Sequence, residues 1–99
     1  SINLWYNFLT NDIFKILNFS KHLNLNTLTV EKNKLKKLNY NFIDSRYIKY
    51  IYLSNSKIEY IEPLAFYNLQ KLESIDLKFN FIRKIELKNF KNLYNLKRL

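Results

Sequence analysis

The sequence predicts an α/β solenoid of about four short coils, with one parallel β-sheet along the concave side. Three observations carry the prediction: an apolar pattern recurs about every two dozen residues, a column of asparagines keeps the same interval, and strand-like alternation occupies the same place in each unit. The pattern is clearest where Ile48 to Ile58 is laid over Leu72 to Ile82. Both stretches carry aliphatic residues at positions 1, 4, 6 and 11, and again at 14 as Ile61 and Ile85. A phenylalanine follows at position 19 (Phe66, Phe90) and a leucine at 22 (Leu69, Leu93). A further unit opens at Leu96, with Leu99 at position 4. One such unit cannot bury its own apolar face, so the units must stack.

Upstream, Leu25, Leu28, Val30, Asn33, Leu35 and Leu38 fill positions 1, 4, 6, 9, 11 and 14 of an earlier unit. Before that, Tyr6, Phe8, Asn11, Ile13 and Ile16 are placed at 4, 6, 9, 11 and 14. Position 9 then reads Asn11, Asn33, Ser56, Asn80. A side-chain amide both donates and accepts hydrogen bonds, so a column of them can satisfy backbone groups where each coil turns inward. Ser56 keeps only a hydroxyl, and its rung is expected to be the weakest. The strands are expected at Tyr6 to Phe8, Thr27 to Val30, Tyr50 to Leu53 and Ser74 to Leu77, with Ile51 and Leu53 pointing in and Tyr50 and Tyr52 out. On the return path, Pro63 stands where a helix can begin. Phe66, Leu69 and Leu72 follow at three-residue spacing, which suits a short helical turn facing the core. A plain helical bundle is the competing architecture, and the Tyr50 to Leu53 stretch argues against it.

The run LxxLxLxxNxIxxI followed by Phe and Leu resembles the leucine-rich repeat family, in the form of about 24 residues common in animal extracellular and receptor proteins. The likeness is close over residues 48–99, good over 25–47 and loose over 1–24. It implies a right-handed coil with an irregular or short-helical convex side. The implied repeats span about 3–24, 25–47, 48–71 and 72–95, with a partial one at 96–99. It also implies a non-catalytic module that binds a protein ligand, receptor-like or secreted, at the cell surface or outside it. Secreted relatives usually close their ends with cysteine-bearing caps, and this sequence has no cysteine. That lack fits a cytosolic chain, and equally a piece from the middle of a secreted one.

Ninety-nine residues suffice for one domain, and a hydrophobic fraction of 47% lies above what disordered segments carry. With no obvious polar capping unit at either end, the chain reads as a fragment of a longer protein, or as a mature chain missing its caps. No stretch approaches the roughly 20 apolar residues of a membrane-spanning helix. The absence of glycine, with many Asn, Lys, Ile, Tyr and Phe residues, matches an AT-rich coding sequence. Asparagine can replace glycine where the backbone turns left-handed. Part of the +9 charge then reflects codon usage.

A contact surface follows from the repeat. Outward strand positions carry Lys49, Tyr50 and Tyr52 in the third coil and Glu73, Ser74, Asp76, Lys78 and Phe79 in the fourth, with Lys32 in the second. Tyrosine is enriched at interface hot spots because it buries much area for little lost rotamer entropy. Tyr50 and Tyr52 are therefore the expected centre of a partner-binding concave face, with Lys49, Asp76 and Lys78 setting charge complementarity. Trp5 and Phe79 can instead fold inward or cover the ends of the stack.

Most of the excess charge lies off that face. Lys34, Lys36, Lys37, Lys57, Arg83 and Lys84 gather at positions 10, 12 and 13, together with Lys15, against Asp12 and Glu59. Stacked at about 5 Å per coil, they would form a stripe roughly 15 Å long. Such a stripe suits a polyanion: a sulfated glycan, an anionic surface or nucleic acid. The plainer alternative is a solvated edge that keeps the protein soluble.

Catalytic chemistry is poorly supported. His22 is the only histidine, and the pairs Glu59/Glu62 and Glu73/Asp76 lack a pocket or a second base. No glycine-rich phosphate loop can exist. No catalytic residue, metal site, cofactor or small-molecule substrate is expected. Asn18-Phe19-Ser20 fits the N-glycosylation acceptor pattern, which makes Asn18 a candidate glycan site and weakly favours secretion.

Overall fold

The computed structural model describes residues 2–3, 25–39, 42–43, 45, 47–67, 69–86, 90 and 93. Strands β1 (Ile2–Asn3), β2 (Thr27–Thr29), β4 (Tyr50–Tyr52) and β6 (Ser74–Asp76) form one parallel sheet in the order β1-β2-β4-β6. Strands β3 (Lys37–Leu38) and β5 (Tyr60–Ile61) pair in parallel as a second, smaller sheet. In β2, β4 and β6 an aliphatic residue sits between two side chains that face outward, so each strand has one dry side. The register lays Leu28 beside Ile51 and Ile51 beside Ile75, all three buried. The ladder continues past the strand ends. Val30 N donates to Tyr52 O at 2.8 Å, and Lys32 N to Ser54 O at 3.1 Å. One coil later, Leu53 N donates to Asp76 O at 2.8 Å and Asn55 N to Lys78 O at 3.1 Å.

A left-handed residue ends each of these ladders: Lys32 (φ 55°), Asn55 (φ 55°) and Phe79 (φ 57°), all at position 8. Lys36, Lys57 and Leu64 also have positive φ. Asparagine was the expected glycine substitute, yet only Asn55 fills that role. Each of the others bears the crowding of Cβ against the next carbonyl, about 1–2 kcal/mol. The chain tolerates this because hydrogen bonds on both sides of the turn hold it in place.

Those bonds centre on position 9. Asn80 Oδ1 accepts from Ser56 N at 2.9 Å and from Ile58 N at 3.0 Å, both in the preceding coil. Its Nδ2 donates to Leu53 O at 2.9 Å and to Leu77 O at 3.0 Å, with Lys78 O at 3.3 Å. One side chain thus joins two coils. At Ser56 the hydroxyl donates to Val30 O at 2.8 Å, with Ser54 O at 3.2 Å, while the main-chain oxygen takes the Leu35 amide at 3.0 Å. The hydroxyl keeps the donating half of the amide's work, and the backbone supplies an acceptor. Asn33 Nδ2 donates to Glu31 O at 2.9 Å.

The return path holds turns, with no α-helix among the described residues. Ala65 N bonds Glu62 O, Tyr67 N bonds Leu64 O, Leu69 N bonds Phe66 O and Leu72 N bonds Leu69 O, each three residues back. Leu64 at φ 58° interrupts any run of right-handed residues after Pro63, so the turns stay separate. The three-residue spacing still buries Phe66, Leu69 and Leu72. Leu93 N repeats the turn on Phe90 O. Behind the core the phenylalanines stack: Phe42 meets Phe66 edge-on with centroids 5.8 Å apart, and Phe66 lies against Phe90 at 5.6 Å with planes 17° apart.

Two expectations are corrected. Ile85, expected inside at position 14, is 49% exposed, whereas Leu38 and Ile61 at the equivalent places are buried. Leu77 and Ile82 of the same coil are only partly buried. The first coil is also offset. Ile2 stands opposite Leu28 and Asn3 opposite Thr29, so position 4 falls on Ile2 and not on Tyr6. The expected strand at Tyr6 to Phe8 and the expected rung Asn11 lie outside the described residues, as do Trp5 and Asn18. Counted from the observed pair, position 9 is Asn7.

Replacing Asn80 with Ala strands the Ser56 and Ile58 amides and the Leu53 carbonyl. It should cost about 3 kcal/mol or more in denaturant unfolding, against about 1–2 kcal/mol for Ser56→Ala. Lys57 is exposed at φ 55°, so Lys57→Gly should raise stability by up to about 1 kcal/mol despite glycine's greater unfolded-state entropy. A loss of stability in the same unfolding assay would show the turn to be unstrained.

Candidate functional site

The concave sheet presents its outward side chains in rows set by the register. Thr27, Tyr50 and Ser74 make one row, and Thr29, Tyr52 and Asp76 make the next. Both tyrosines are half-buried and project from β4, between strands whose outward residues are shorter. The result is a pair of phenols, on one strand and two residues apart, rising from a polar floor.

Charges frame the pair. Among the described residues of this face, Lys32, Lys49 and Lys78 are exposed, and Glu31, Glu73 and Asp76 are half-buried. The face is balanced in charge and mixed in pattern. Asp76 Oδ1 accepts from Lys78 N at 3.0 Å, a local turn that ties down the end of β6. The Tyr50 hydroxyl donates to the Glu73 carboxylate, and that bond, with the nearby negative charge, raises its pKa above the ordinary 10.0. Phe79 lies on the left-handed turn that leaves β6, at the edge of the face.

Lys34, Lys36, Lys37, Lys57, Arg83 and Lys84 are all exposed, on the loops and short strands that follow position 9. The flank holds more acid than Glu59 alone. Lys37 Nζ lies 3.2 Å from Glu62 Oε1, and Lys84 Nζ 3.1 Å from Glu86 Oε1. Glu59 N donates to Lys36 O, which seats a carboxylate-bearing residue directly beside that lysine in the stack. Exposed pairs of this kind add at most about 1 kcal/mol to stability, but they halve the stripe's charge locally. Glu62 and Glu86 were missed as partners because they stand two positions past the basic cluster: the β3–β5 pairing brings Glu62 beside Lys37 of the coil before, whereas Glu86 lies two residues from Lys84 on the same segment. Phe81, 61% exposed beside Asn80, was also missed, since periodicity alone marks position 10 only as outward-facing.

No group of three His, Cys, Asp or Glu side chains among the described residues is placed to hold a metal ion. No helix among the described residues is long and apolar enough to cross a membrane.

A parallel sheet of two- and three-residue strands, bridged by one asparagine amide and backed by a phenylalanine column, defines a repeat protein with an open recognition face. The family model described as Leucine rich repeat matches residues 23–82 and 46–99, and the chain belongs to that family. Leucine-rich repeats generally mediate protein–protein interaction and are typically non-catalytic. A search of the curated proteins finds no significant match.

Tyr50 should titrate above 10.0 when followed by NMR, because ionising it places a phenolate beside Glu73. The Tyr50–Glu73 contact is accordingly intact through neutral pH and is lost as pH rises through the raised value. Glu73→Gln should bring the titration back down. An unchanged midpoint in that variant would rule out the hydrogen bond as its cause.

Proposed function

We propose that the protein is a non-catalytic recognition module that binds a protein partner on the concave sheet, with Tyr50 and Tyr52 at the centre of the contact. The observation that carries this reading is the placement of both tyrosines on the same face of β4, above rows of Thr, Ser and Asp. Half-buried aromatics in such a frame lose little rotamer freedom when a partner covers them, and their hydroxyls accept polar contacts at the rim. Lys32, Lys49 and Lys78, set among Glu31, Glu73 and Asp76, would select a partner surface of mixed charge rather than a uniform polyanion. A receptor-like or secreted setting belongs to this proposal, supported by the repeat type and the Asn18 motif, which lies outside the described residues.

The flank offers a second reading, attachment to a polyanion through Lys34, Lys36, Lys57 and Arg83. The Lys37–Glu62 and Lys84–Glu86 pairs weigh against it.

A photoreactive residue at position 52 should cross-link a specific partner, and one at the exposed Tyr67 on the return side should not. Tyr50→Ala with Tyr52→Ala should weaken binding of that partner at least about tenfold, with little dependence on salt. If Lys36→Glu, Lys37→Glu and Lys84→Glu abolish binding while the tyrosine change does not, the concave-face assignment is wrong.

A further inference from the structure

Phe79 and Phe81 are 75% and 61% exposed, on either side of the bridging Asn80. Their exposure does not come from lying in the last described coil. The same two positions of the coil before hold Asn55 and Lys57, and both are exposed although the next coil lies against them. There Asn55 N donates to Lys78 O, and Phe81 N donates to Ile58 O at 2.8 Å. Ile85 behaves differently, since its counterparts Leu38 and Ile61 are buried. Positions 8 and 10 therefore face outward in each of the three coils from Leu25 on, and here they carry phenylalanine where the two coils before carry Lys or Asn. Phe79 also sits at φ 57°, a conformation unfavourable to a bulky side chain.

The surroundings are cationic. Lys78 precedes Phe79, Arg83 follows Phe81 by two residues, and Lys57 precedes Ile58, whose carbonyl takes the Phe81 amide; all three are exposed, as are Lys34 and Lys36 one coil earlier. The carboxylates facing this edge are Glu59 and Asp76, the latter already accepting from Lys78 N, while Lys84 is paired with Glu86. Cations are in excess. The rings project from a tight turn, and a fluid interface can close around such a projection without a complementary pocket.

We propose that this edge docks on an anionic lipid surface. Phe79 and Phe81 enter the boundary between headgroups and acyl chains, and Lys57, Lys78 and Arg83 meet the lipid phosphates and carboxylates. Neither ring is sufficient alone, and reversible attachment needs both the apolar and the charged part. Apart from Lys78, which borders both surfaces, the edge is separate from the tyrosine pair, and it does not depend on the concave-face reading.

The test is co-sedimentation of the protein with phosphatidylcholine vesicles, with and without phosphatidylserine. The variant is Phe79→Asn with Phe81→Lys, which gives this coil the residues its neighbour already carries as Asn55 and Lys57. It should fold, as far-UV circular dichroism will show, and it gains a positive charge. Binding is expected only to vesicles containing phosphatidylserine, and the variant should bind them about tenfold more weakly despite its added charge. Equal or tighter binding by the variant would mean attachment by charge alone and would overturn the proposal. So would absence of vesicle binding, equal uptake by neutral vesicles, or a self-association in light scattering that the variant abolishes. Tyr50→Ala with Tyr52→Ala should leave vesicle binding unchanged, which separates this surface from the concave one.

Discussion

The backbone of every coil must leave its strand at the same height as the one below, or the sheet cannot continue. The Asn80 amide enforces this by capturing two amides of the preceding coil while holding carbonyls on both sides of the turn. These groups lie where a three-residue strand stops and regular pairing runs out, so only a bidentate donor–acceptor side chain can reach them all. Ser56 shows the limit of substitution. A hydroxyl retains the bond to Val30 O, and the main chain takes over the accepting role.

With the turn height set, the rest of the cross-section follows. Aliphatic residues at positions 1, 4, 6 and 11 meet in one interior, and the phenylalanine column closes its back. The outward residues then become rows rather than scattered points. That is why two tyrosines on β4 form a site, and why Phe79 and Phe81 form an edge of different character. The same turn carries the strain, since it requires a left-handed residue in a chain without glycine.

Much of this was legible in the sequence because the repeat is a physical constraint at each position. Strands at Thr27, Tyr50 and Ser74, and the buried Leu28, Ile51, Phe66 and Leu69, are direct readings of the period. The first coil was not legible. Ile2, Leu4, Asn7 and Leu9 fit positions 4, 6, 9 and 11 as Tyr6, Phe8, Asn11 and Ile13 do four residues on, and position 14, Asp12 against Ile16, favours the later register that the pairing of Ile2 with Leu28 overrules. The return path was left open between an irregular and a short-helical form: three-residue spacing fits one short helix or a series of separate turns, and the backbone at Leu64 decides between them. The ion pair of Lys37 with Glu62 depends on which coils lie side by side, and neither residue announces that by itself.

The sequence by itself determined the architecture, the core and the family, because a unit that cannot bury its own apolar face must stack, and its period states how. Tertiary structure alone decided that Glu62 neutralises Lys37 across the stack, which residues adopt left-handed turns, and that Phe79, Phe81 and Ile85 are exposed. These depend on what lies one coil away. Periodicity orders residues along the chain, and neighbours across the stack come into being only when the coils close.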